Sequence, residues 1–168
     1  MGLFDVLKQY AGGAPALADT HAHFDEVAQQ ASPASLGSAL SAVLRSNATP
    51  PFGQTVGGLF DKSNPEQRAG ILNQIIQSMG PAALASGGGI LAKILGGTPA
   101  SGVPTVTPQQ ASQVSPADAS VLASHAEQHN PSVVDAVGSF YAQHPAIVKT
   151  LGVAALAMVM NHMQTKQA

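Results

Sequence analysis

The sequence predicts an all-α protein of six to eight helices, and three observations carry that expectation. Apolar residues recur at helical spacing along most of the chain, strand-like alternation is almost absent, and five prolines each follow a residue able to cap a helix. Proline fits a first helical turn because its missing N–H has no intrahelical partner there, while a preceding Ser, Thr or Asn can accept the orphan N–H groups that follow.

Taken in order, the first element is expected over "DTHAHFDE" (19–26), with Asp19 or Thr20 as its cap. Ser32-Pro33 opens the next, whose stripe is Leu36, Ala39, Leu40, Val43 and Leu44. Asn64-Pro65 opens a helix with Ile71, Leu72, Ile75, Ile76 and Met79 on one face. Gly80-Pro81 ends it and starts a segment whose apolar positions, Leu84, Ile90, Leu91, Ile94 and Leu95, run through Gly87, Gly88 and Gly89. That triple glycine is a break or a point of close packing. Thr107-Pro108 and Ser115-Pro116 open two more helices, and Asp118 suits the positive end of the second. Val121, Leu122, His125 and His129 share that second helix. Asn130-Pro131 introduces Val133, Val134, Val137, Phe140 and Tyr141, and His144-Pro145 gives a sixth start, for a C-terminal helix reaching about Gln164. Its apolar run, Leu151 to Met160, has no polar side, so this helix is expected to be buried among its partners.

"GGTPASGVPTVTP" (96–108) reads as a loop or linker from its Gly, Pro, Ser and Thr content. The chain therefore divides into an N-terminal helical part (1–97), a loop (98–107) and a C-terminal helical part (108–168), within one integrated domain. "GLFD" occurs at 2–5 and at 58–61, and "QQAS" at 29–32 and 109–112, too short to be a repeat architecture.

Seven Lys and Arg stand against nine Asp and Glu, scattered along the chain, so no basic field attracts nucleic acid. Charged residues make up 10% of the chain, against roughly a quarter in an ordinary domain, and a weakly charged surface eases self-association. The lack of cysteine removes disulfides, thiolate metal sites and a cysteine nucleophile together. "MGLFDVLKQYAGG" has neither the basic start nor the apolar run of a secretory signal, and Val6 stands where myristoylation wants Ser or Thr. The expected location is cytoplasmic. The ten-residue run at 151–160 falls short of the ~18–20 residues that span a bilayer.

"SHAEQHNP" (124–131) is the strongest chemical motif. His125 and His129 are one helical turn apart and can both offer imidazole nitrogen to a transition metal. In a zincin the acid follows the first histidine directly. Here Glu127 lies two residues on, about 200° around the helix, and cannot act as its base. His129, in the last turn, also suits the negative end of the helix dipole without any metal. His21 and His23 are the other candidate ligands, although His21 with Asp25 and His23 with Glu26 have ordinary ion-pair spacing. Amidohydrolases carry His-x-His on a barrel strand, but such barrels need ~250 residues and βα alternation. Met158, Met160 and Met163 beside His162 have the donors of a soft copper site, and at helical spacing they read as core. Neither "GGGILAK" nor "GGLFDKS" has phosphate-loop spacing, and no G-x-S-x-G elbow occurs.

The stretches "MGLFD", "SLGSALSAVLRSNATPPFGQTVGGLFDKSNPEQRAGILNQII" and "FYAQHPAIVKTLGVAALAMVM" resemble the YidB-like group of small bacterial helical proteins, chiefly through the first half of the chain. That resemblance implies a bacterial, all-helical, non-enzymatic protein and brings no catalytic residues.

The functional expectation is a non-enzymatic structural or interaction protein that forms a homo-oligomer through apolar, small-residue helix faces. Low charge, abundant Ala and Gly, and the apolar C-terminal run motivate it, with Leu151, Val153, Leu156, Val159 and Met160 as the contact. Only 4% of residues are aromatic, so the anchors of tight hetero-interfaces are scarce. One alternative is a transition-metal protein using His125, His129, His21 and His23. The other is a membrane-surface protein using Ile90 to Leu95 or the C-terminal helix. It is disfavoured because Lys93 and Lys149 stand nearly alone where a basic face is needed.

Overall fold

The computed structural model describes residues 17–97, 102–151 and 153–167, and among these residues the chain forms eleven α-helices, one 3-10 turn and no strand. They are α1 (Leu17–Gln30), α2 (Pro33–Leu44), α3 (Phe52–Asp61), α4 (Pro65–Ser78), α5 (Pro81–Ser86), α6 (Gly88–Leu95), α7 (Pro108–Gln113), α8 (Pro116–His129), α9 (Val133–Ala142), α10 (Pro145–Val148) and α11 (Val153–Gln167), with the 3-10 turn at Lys149–Leu151. The all-α expectation holds at that level. The number of helices exceeds six to eight because proline and glycine cut the chain into short pieces, several of only one or two turns.

The capping chemistry works where it is local. Ser32, Asn64, Thr107 and Ser115 each accept a backbone N–H three residues on, and Asn64 with Gln67 and Thr107 with Gln110 form reciprocal capping boxes. Asn130-Pro131 behaves differently. The Asn130 side chain donates to Ser78 O at the end of α4 and accepts from Ser132 N, so the chain turns first and α9 begins at Val133. At the N-terminus, α1 already runs from Leu17, so Asp19 and Thr20 lie inside it and do not cap it.

α3 was not expected from the sequence. Three of its ten residues are glycine, each costing ~1 kcal/mol relative to alanine in a helix. Packing against α8 offsets that cost. A Cβ on Gly53 would lie 2.6 Å from Ser120 O, and one on Gly57 would lie 2.8 Å from Pro116 O, so the two helices meet backbone to backbone. The α2–α9 crossing is built the same way, with Gly37 against Ser139 and Gly138 against Ser41 and the Gly37 carbonyl. These close-approach glycines thus serve the interior of one chain.

Around the two crossings a single hydrophobic cluster runs from Phe24 to Met163. α4 packs on α7 and α9, and α11 lies on α1 and α2. The stretch after residue 101 is tied down: Val106 is buried, and its N–H and C=O are both bonded by the side-chain amide of Asn73 on α4. Residues 98–101 of the expected loop lie outside the described residues.

The expectation of a buried C-terminal helix needs correction. Pro145 starts a helix that lasts four residues, passes through the 3-10 turn and resumes as α11. α11 buries one stripe, Ala155, Leu156, Val159, Met160 and Met163. Ala157 and Met158 are half-buried and Asn161 is exposed, so the helix lies on the body and is not enclosed by it. Small side chains on the outer side make this cheap, because Ala157 loses little by facing water.

Candidate functional site

A mostly apolar groove of about 320 Å³ opens between the end of α2, the loop after it, the outer face of α3 and the start of α11. Its apolar wall comes from Val43, Leu44, Leu59, Leu151 and Ala155. Gly58 forms part of the floor, and a Cβ placed there would meet nothing within 4 Å.

Three threonines line the groove, and all three hydroxyls are engaged with backbone. Thr49 donates to Val43 O, Thr55 to Pro50 O and Thr150 to Ile147 O. Those bonds fix the loop and the 3-10 turn that shape the walls, and they remove hydroxyl donors from the cavity. Asp61 and Lys62 stand side by side as its only acidic and basic side chains among the described residues. The site can therefore hold an apolar surface, and among the described residues its lining includes no histidine.

Two further hollows, of about 200 and 410 Å³, adjoin the groove. One shares Val43 with it and is completed by Met158, Asn161 and His162; the other shares Leu44, Thr49 and Pro50 and reaches Glu127. Through these shared residues both hollows border the groove near the 46–51 loop. Of the methionines that read as core, Met160 and Met163 are buried, while Met158 lines one of the hollows with His162.

The structure brings His125 and His129 together, with ring centroids 4.6 Å apart. His125 has a packing role: its Nε2 lies 3.2 Å from Ala83 O and 3.2 Å from Ser86 Oγ, which ties α8 to α5. Gly87 leaves room for that ring, since a Cβ there would come 3.3 Å from His125 Nε2. The triple glycine is thereby accounted for in part as a close-packing point between α5 and α6. His21 and His23 sit on α1 and do not join the pair; among the described residues no group of three or more His, Asp or Glu is placed to hold a metal ion. The spacing of His21 and Asp25 suggests an ion pair, but the Asp25 carboxylate pairs instead with Lys149, at 2.6 Å.

Of the expected contact residues, Leu156, Val159 and Met160 are fully buried against the body, so in a folded monomer they are core and not surface. Leu151 is half-buried in the groove wall, and the Val153 side chain lies outside the described residues. Lys93 and Lys149, too few to make a basic face, are paired with Asp118 and Asp25. Among the described residues no helix is long and apolar enough to cross a membrane.

Sequence reasoning missed the groove, because its walls come from residues between 43 and 155 that only the tertiary fold gathers. The single local signal was "GQTVGGLF", where one glycine, Gly58, faces outward from a helix whose other two face α8. No family model matches the chain, and no curated protein or solved structure matches it either.

Proposed function

We propose that this is a non-enzymatic interaction protein that self-associates, and that its contact surface is the concave face around the groove and not the buried stripe of α11. The observation that carries this reading is the open apolar groove of about 320 Å³ whose lining hydroxyls are already bonded. Apolar surface left in water is unfavourable by roughly 25 cal/mol per Å², and a second copy would cover it. Electrostatics offers little opposition, with a net charge of −2 and Arg45, Lys93 and Lys149 each neutralised by a carboxylate. A bacterial, cytoplasmic setting and kinship with the YidB-like group belong to the same proposal, supported by the opening "MGLFD" and the absence of cysteine.

Light scattering behind size-exclusion chromatography, across a concentration series, tests it. The expected result is a mass above the 16.9 kDa of one chain that falls on dilution. Leu151→Asp, which charges the groove wall, should lower the mass while circular dichroism keeps its helical signal. A monomer at every concentration would reject self-association.

A further inference from the structure

We propose that two copies meet groove to groove about a two-fold axis, Asp61 of each facing Lys62 of the other. The inference rests on the self-association reading and specifies its geometry.

Four salt bridges join described residues, and three of them connect separate elements: Arg45–Asp135 at 2.8 Å, Lys93–Asp118 at 2.8 Å and Lys149–Asp25 at 2.6 Å. Asp61–Lys62 is unlike these. Its members are adjacent in sequence, 3.5 Å apart, and 54% and 60% exposed, so the pair closes no tertiary contact. It stands at the groove.

Asp61 also occupies a place that helix electrostatics disfavours. It is the last residue of α3, where a carboxylate faces the negative end of the dipole. Arg68 offsets the dipole there, its guanidinium donating to the carbonyls of Phe60, Asp61 and Ser63, and the Asp61 carboxylate is left to Lys62. The exposed Asp61 and Lys62 side chains, side by side at the groove, are open to a partner.

Neighbouring opposite charges select the partner. An anionic or cationic ligand, or an anionic membrane, meets as much repulsion as attraction at such an edge. The same edge turned through a two-fold axis is self-complementary, since in an isologous contact residue i meets j and j meets i. Gly58, one turn before Lys62 on the exposed side of α3, leaves space for the partner helix to approach. A stable interface needs about 800 Å² per partner, more than one groove supplies. The adjoining hollows of about 200 and 410 Å³ share Val43, Leu44, Thr49 and Pro50 with the groove, so a copy seated on it reaches beyond the groove itself.

The test uses the full chain carrying Asp61→Lys, Lys62→Asp or both. Each single change should weaken the dimer about tenfold or more, and the double change should restore it to within about threefold of the original. Mixing the two single variants should give heterodimers in preference to either homodimer, as native mass spectrometry would read. If the unaltered protein dimerises while the single variants dimerise equally well and mix at random, the groove pairing is wrong and self-association stands. A monomeric unaltered protein removes both. Gly58→Phe, filling the groove, should abolish the dimer without changing the helical circular dichroism signal. A dimer that survives this change while binding of decanoate is lost would assign the groove to a small amphiphile and overturn the proposal.

Discussion

Gly53 on α3 lies directly against Ser124 on α8, so close that the glycine has no room for a Cβ beside the serine hydroxyl. Gly53→Ala should therefore destabilise the protein by about 1–3 kcal/mol through overpacking, because the nearby Ser120 carbonyl is backbone and cannot rotate away. Gly58→Ala, on the same helix with open space around it, should instead stabilise by about 0.5–1 kcal/mol. Urea unfolding of the two variants gives opposite shifts in midpoint if close approach is what holds α3 to α8. Shifts of the same sign would show that helix propensity alone governs both sites.

How far the sequence could be read follows from the range of each interaction. Ser32, Asn64, Thr107 and Ser115 were legible because a cap is completed within three residues. Asn130 was misread because its amide reaches Ser78, 52 residues away, and that bond sets the turn. α3 was invisible because glycine lowers local helix preference, while the compensating contact comes from Pro116, Ser120 and Ser124, far along the chain. Spacing showed that His125 and His129 share a face, and could not show that Ala83 O and Ser86 Oγ would meet His125. The groove had no local signature, because Leu44 lies on an ordinary helical stripe, Leu151 in the apolar C-terminal run and Leu59 on the unexpected α3, and only the fold gathers them around a gap.

Asn73→Ala should release the segment that leads into α7. The Asn73 amide bonds both the N–H and the C=O of Val106, at 2.7 and 3.1 Å, as a neighbouring strand would. Net loss is expected at about 1–3 kcal/mol, since each bond contributes ~1 kcal/mol and the Val106 polar groups are left without these partners. Hydrogen exchange at the Val106 amide should accelerate more than exchange in α8. Uniform acceleration would mean a general loss of stability without a local clamp.

Acid should weaken the fold through two aspartates. Lys93, and then Ser115, hold the Asp118 carboxyl below the usual carboxylate range, and Arg45 does the same for Asp135. A depressed pKa in the folded state means that the stabilisation is complete above the unfolded value and is lost as pH falls through the folded one. The loss should therefore begin below about pH 4. Urea midpoints at neutral pH and through the acid range should fall more steeply for the unaltered protein than for Asp118→Asn with Asp135→Asn. Parallel curves would exclude these carboxylates as the source.

Tyr141 on α9 is 1% exposed, and its hydroxyl has no hydrogen-bond partner among the described residues. Ser63 lies beside it and gives its own proton to Leu59 O, which leaves its oxygen as an acceptor at hand, and burial pushes the phenol well above its ordinary value. A buried hydroxyl without a partner loses its bonds to water and gains nothing in exchange, while the ring packs as any aromatic would. Tyr141→Phe keeps the ring and removes the orphan, so it should leave stability unchanged or raise it by up to about 1–2 kcal/mol. The usual outcome for a buried tyrosine is a loss, because its hydroxyl is normally bonded. Thermal and urea unfolding of this one variant separate the two cases: a clear drop in midpoint would mean that the Tyr141 hydroxyl is bonded in solution, with Ser63 as the first candidate acceptor.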